Sequence, residues 1–422
     1  MPFAARIVPR LIVCATLTAC GARSELIAPA FVDASPDRTE DVVVDVVDAE
    51  PSRDVHIDVP PDSPPACTDL VLAVSPTVAL TASQGGFATP RVVARAGSFD
   101  ILGPLANAPP DGIRSRRTSI AASGASFDFG TIQVVGEDSW TWAETGTDSS
   151  DLALCYMSNG GTLRTWHGAY ESALRVAIAL PAGVGTCRGI TWAGDRWISG
   201  WHDYNGPSYV VEHARDGTIL SPPRVAMVSL GTTTPSLAGY GHGAAWVTYD
   251  AAAQSFGVVY ARPGEPDVRH DYPVAAQIAS LRLAAWPDDP GAIAITWLDP
   301  MSFVHLVVVR DDGRSLVSDR ALFATAITGD TRSVEIAPFL DGVALATFVC
   351  RADGSGSIGA RRVDRTGAVR GDGVTLPLDC RRAGTLAGLA ANERDIVGAW
   401  LTPRPPRMLD FDISAASFRC RD

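Results

Sequence analysis

Histidine, serine, cysteine, carboxylate and indole side chains carry most protein chemistry, and in this 422-residue chain none falls into a catalytic spacing. The seven histidines (His56, His167, His202, His213, His242, His270 and His305) form no His-x-x-x-His or His-x-His pair, so no metal site is expected. A serine nucleophile at a strand-to-helix elbow needs Gly-x-Ser-x-Gly, and "GSGSIG" (354–359) has Ser355 where the first glycine belongs. The glycines of "GYGHGAAW" (239–246) lack the βαβ setting of a dinucleotide loop and are expected to form a turn between strands. Paired carboxylates would suit a glycosidase, but the 47 acidic residues contain no motif that selects a pair. No catalytic residue and no cofactor is therefore expected.

Tryptophan shows the one local bias. Trp140, Trp142, Trp166, Trp192, Trp197 and Trp201 are six of the ten in the chain. Strand alternation places Trp140 with Trp142, and Trp197 with Trp201, on common faces. An indole offers a flat apolar plane with one donor, which suits stacking on a sugar or a peptide. The candidate exposed site is "WHDYNG" (201–206), with Trp197, His202, Asp203, Tyr204 and Asn205 as its ligand-binding residues. Burial between repeats is the competing role, and Trp201 is assigned to it because its counterparts below are also aromatic.

The N-terminus supplies an address. Arg6 and Arg10 precede an apolar stretch, Leu11 to Ala19, too short to span a bilayer, which takes about 20 residues. This is the layout of an export signal. Leu17-Thr18-Ala19-Cys20 resembles the lipobox of bacterial lipoproteins, which implies cleavage before Cys20 and attachment of diacylglycerol to it. Residues 1–19 are then signal peptide, Cys14 is discarded with them, and the membrane partner is reached through lipid alone. Gly21, in place of the aspartate that retains such proteins at the inner membrane, favours the outer membrane.

Residues 20–66 read as a tether. Ten acids between Asp33 and Asp62 face only Arg38 and Arg53, and the segment has too little apolar surface to offset the entropy of ordering. Most of the net charge of −12 sits here, and no clustered basic face exists, so nucleic acid is not an expected partner.

From Cys67 to the C-terminus the composition turns apolar, Gly-rich and aromatic, with short alternating runs. A unit recurs in "ITWAGDRWISGWHD" (190–203), "LAGYGHGAAWVTYD" (237–250), "LAAWPDDPGAIAITWLD" (283–299), "IAPFLDGVALATFVC" (336–350) and "LAGLAANERDIVGAWLT" (386–402). Trp201, Tyr249, Trp297, Phe348 and Trp400 close the second runs, at steps of 48, 48, 51 and 52 residues by subtraction. Third runs close on Gly217, Gly264, Gly313 and Gly367, at steps of 47, 49 and 54. An earlier unit spans 132–161, and 68–131 leaves room for one degenerate unit. Units of this length with three or four strands resemble β-propeller blades. The expected fold is all-β: a propeller of seven blades, with six blades or tandem β-sandwich modules as alternatives.

Six cysteines remain once Cys14 and Cys20 are set aside, an even number suited to disulfides in an exported chain. The repeat pairs Cys155 with Cys187 and Cys350 with Cys380, each linking one unit to the start of the next. Cys67 and Cys420 stand at the two ends of the body, which a ring would bring together. The combined expectation is a lipid-anchored envelope protein binding a protein or glycan. Its rival is a glycan-active hydrolase or lyase with carboxylates in the propeller funnel.

Overall fold

The computed structural model describes residues 67–421 apart from 82–89, 105–112, 136–139, 148–150, 159–162, 169–173, 181–183, 204–206, 229–235, 275–277, 279, 326–330, 380–386 and 404–410. All regular structure among these residues is β, arranged as seven four-stranded antiparallel sheets. The innermost strands of blades 1 to 7 are Arg91–Arg95, Trp140–Thr147, Val184–Trp192, Ser236–Tyr240, Ser280–Ala285, Thr331–Phe339 and Ala387–Ala391. Each contacts the innermost strand of the blade on either side, and blade 7 meets blade 1, so the ring is closed. This is the seven-bladed propeller expected from the repeat.

The repeat landmarks have distinct structural duties. Trp201, Tyr249, Trp297, Phe348 and Trp400 all lie on the second strand of their blades and are at most 3% exposed. They fill the seams, for the apolar clusters each span two neighbouring blades: Tyr249 packs with Trp297, and Phe348 with Trp400. Gly217, Gly264, Gly313 and Gly367 occupy the turns between third and fourth strands at φ of +93°, +73°, +88° and +71°. Only glycine enters that region without a steric penalty, which is why the residue type recurs at that point of blades 3 to 6. In three of these turns an aspartate one to three residues before the glycine accepts the backbone N–H of the residue after it: Asp216 from Thr218, Asp312 from Arg314 and Asp364 from Ala368.

The first units divide differently from the expectation. Ile132 to Val135 end the outer strand of blade 1 (Phe127–Val135), and blade 2 begins at Trp140. Residues 68–131 also split, because Asp69–Thr81 leaves its sequence neighbours to become the outermost strand of blade 7. There it pairs with Phe411–Arg421, from Asp69 opposite Arg421 to Thr81 opposite Asp412. The two ends of the body thus share one sheet. A disulfide joins Cys67 to Cys420, with a Cα separation of 5.2 Å.

Cys155, on the second strand of blade 2 (Leu152–Ser158), bonds to Cys187 across the seam to blade 3, with a Cα separation of 5.9 Å. Cys187 lies within its strand rather than ahead of it. Cys350 is disulfide-bonded, and Cys380, its expected partner, lies outside the described residues.

Seam packing is close enough to test with one methyl group. A Cβ on Gly200 would stand 2.2 Å from Cζ2 of the buried Trp246 in the next blade. Gly200→Ala should therefore destabilise the ring by about 1–3 kcal/mol, the range for overpacked cores. Urea denaturation checks this, and an unchanged midpoint would mean the seam is looser than the geometry indicates.

Candidate functional site

Seven strands converging on an axis leave a channel of about 380 Å³. Its described wall is built from residues 92–94, 189–191, 237–239, 283–285, 336–338 and 389–391, three consecutive positions on six innermost strands. Side chains alternate across a strand, so a wall made by one sheet face would use every second residue. Consecutive residues line this channel because the sheets stand edge-on to it. The wall is therefore largely main chain, flanked by Val, Ala, Leu, Ile, Gly and Pro, with the Thr191 hydroxyl as its one polar side chain among the described residues.

Crowding explains the composition. A Cβ on Gly239 would lie 2.0 Å from the Thr191 Oγ1, and one on Gly189 would lie 2.8 Å from the Leu237 Cβ. The runs Leu237-Ala238-Gly239, Leu283-Ala284-Ala285 and Ile336-Ala337-Pro338 head three of the repeat units noted above, Leu389-Ala390-Ala391 lies three residues into a fourth, and all four line this wall. In the sequence they mark only the recurring unit, and no residue type in them signals a site. A binding role predicted aromatic and polar side chains here, and a hydrolase predicted converging carboxylates; the described wall has no aromatic and no titratable group. The side chains of Trp140, Trp142 and Glu144, on the innermost strand of blade 2, lie outside the described residues.

Two members of the tryptophan cluster, Trp197 and Trp201, are closed to a stacking ligand, while Trp192 is half-buried with the Arg215 guanidinium over its ring. Trp197 and Trp201 are fully buried in the seam between blades 2 and 3, and His202 is 6% exposed, its Nδ1 3.3 Å from the Ser208 Oγ. Alternation could not reveal this, because a second strand is covered on both faces by neighbouring blades. Tyr204, Asn205 and the side chains of Asp203 and Trp166 lie outside the described residues.

The same seam holds a constellation without a sequence signature. The Trp201 indole N–H donates to the Ser199 Oγ at 2.9 Å, and that hydroxyl lies 2.8 Å from the His213 Nε2. Serine and histidine at this spacing match the nucleophile and base of a hydrolase only in outline. Ser199 and His213 have no exposed surface, so no substrate can reach the pair. Burial pushes His213 down to about 4, and burial followed by the neighbouring His213 pushes His167 down to about 3. Both rings are neutral at pH 7, and His213 shares a seam hydrogen bond with Ser199.

The face carrying the first-to-second and third-to-fourth turns is charged but internally paired. Arg310 pairs with Asp289, Arg362 with Asp341 and Arg419 with Asp395, each joining a third strand to a first-to-second turn or its edge. Between blades 4 and 5, the buried Asp311 carboxylate binds the His242 Nδ1 at 2.9 Å and the Arg262 Nη2 at 2.8 Å. No group of three or more His, Cys, Asp or Glu among the described residues could hold a metal ion.

No protein-family model matches the chain, and no curated protein sequence matches it. Solved structures resemble it at the level of fold. AofleA from Arthrobotrys oligospora is 11% identical over 72% of this chain and 91% of its own, with a TM-score of 0.44. The WD40 domain of coronin from Toxoplasma gondii is 13% identical over 85% of this chain and 88% of its own, at 0.49. A candidate 6-phosphogluconolactonase from Bacteroides uniformis is 13% identical over 75% and 95%, at 0.45.

Proposed function

We propose that this chain is a lipid-anchored protein of the cell envelope, at the outer membrane, that presents a disulfide-stapled seven-bladed propeller as a binding or scaffold module for a protein or glycan. The observation that favours binding over hydrolysis is the axial wall: its described part is main chain and small aliphatic side chains, with no acid or base to move a proton. Hydrolysis of a glycan needs positioned carboxylates, and this wall supplies none among the described residues. The stapled cysteines suit an oxidising compartment. The anchor rests on Leu17-Thr18-Ala19-Cys20, with residues 20–66 as an acidic spacer.

Two measurements test this. Incubation of the purified chain with peptidoglycan and envelope glycans should give no released product, and product formation above a blank would favour the hydrolase instead. Metabolic labelling with an alkynyl fatty acid should tag the wild type and not Cys20→Ala, with the variant leaving the membrane fraction. Equal labelling of the two would remove the lipid anchor.

A further inference from the structure

We propose that the axial channel takes a neutral, extended polypeptide segment with small side chains, which adds as a strand to a free edge of an innermost strand. This rests on the binding role proposed above and specifies its ligand class.

Every innermost strand is hydrogen-bonded within its sheet on one side only, so the N–H and C=O groups of its other edge face the axis. Main-chain groups removed from bulk water require partners. A hydrocarbon offers none and would leave those groups unsatisfied. A charged ligand would enter a wall whose described part has no counter-charge. In the described part of the wall a sugar would find no aromatic plane and a single hydroxyl, that of Thr191, whereas sugar recognition relies on several placed polar side chains and a stacking ring. An extended peptide is the ligand whose own donors and acceptors repeat at the spacing of a strand edge.

Dimensions agree. Three residues of strand cover roughly 10 Å, and about 380 Å³ accepts a short segment with small side chains. The wall also selects among its edges. Pro338 has no N–H to offer, so blade 6 is blunted at that position.

The test titrates the full chain, solubilised in detergent, with a library of terminally blocked, dye-labelled hexapeptides of Gly, Ala, Val, Ser and Thr. The best binder is then resynthesised with alternate amides N-methylated, which removes edge donors and keeps composition. Expected results are saturable binding of the parent peptide and at least tenfold weaker binding of the N-methylated form. Ala285→Arg, at a half-buried wall position, should abolish binding while retaining the β-sheet circular dichroism of the wild type. Equal binding of parent and N-methylated peptides overturns strand addition, and needs no variant to fold. Glycan binding lost in Ala285→Arg, with no peptide bound, would overturn the peptide class and leave the binding role standing. Release of glycan products would instead overturn the binding role itself.

Discussion

Replacing Cys67 and Cys420 together by serine should lower the stability of the ring more than the same replacement of Cys155 and Cys187. The bridge closes a loop with a sequence separation of 353, for which chain entropy sets a ceiling of about 6 kcal/mol. The Cys155 to Cys187 bridge, with a separation of 32, has a ceiling of about 4 kcal/mol. The difference has a structural side as well. The outermost strand of blade 7 has no covalent continuity with the rest of its sheet except through this bridge, whereas the Cys155 bridge joins blades already consecutive in the chain. Urea denaturation of the two double variants should rank them in that order. A loss below about 1 kcal/mol for the closure pair would show that pairing between Asp69–Thr81 and Phe411–Arg421 holds the ring without help.

Acid is the second large lever. His167 and His213 sit in the folded seam at about 3 and about 4, below the ordinary histidine value of 6.5. Above pH 6.5 both are neutral folded or unfolded, and their effect on stability is constant. As the pH falls below 6.5 the unfolded chain gains two protons that the folded seam refuses, so stability declines down to about pH 4 and 3, where the folded rings titrate. The loss is on the order of 3 kcal/mol for each histidine. Carboxylates lowered by their partners, such as Asp312 beside Arg314 and Asp364 beside Thr366, work in the same direction but only below the ordinary carboxylate value of 3.8. Urea midpoints between pH 7.5 and 4.5 therefore isolate the histidines. His167→Gln with His213→Asn should flatten that limb, and an equally steep limb in the double variant would place the acid sensitivity elsewhere.

Much of the architecture is visible in the chain because a blade repeats two demands that few residue types meet. A seam needs a bulky aromatic, supplied by Trp201, Tyr249, Trp297, Phe348 and Trp400. A tight third-to-fourth turn needs a left-handed residue, supplied by Gly217, Gly264, Gly313 and Gly367. The exchange of Asp69–Thr81 into blade 7 left no local mark, since a strand with alternating pattern fits any sheet edge. Trp197 and His202 looked available because period-two alternation separates two faces without saying that both are covered. The channel was the least legible part. Its chemistry belongs to main-chain edges, and a run such as Leu237-Ala238-Gly239 reveals only that space is scarce.

The closure also decides how the ring responds to force. The chain enters the body at Cys67, beside the end of the last strand, where the Thr68 N–H bonds to the Arg421 carbonyl at 3.1 Å. Tension applied along the preceding segment would otherwise fall on that single bond, then on the next, and peel the outermost strand away like a zipper. With Cys67 bonded to Cys420 and its carbonyl held by Arg362 of blade 6, the load passes by covalent bonds into the third strand of blade 7 and bypasses the zipper. The bridge is thus a strain relief at the point where the cable enters the housing.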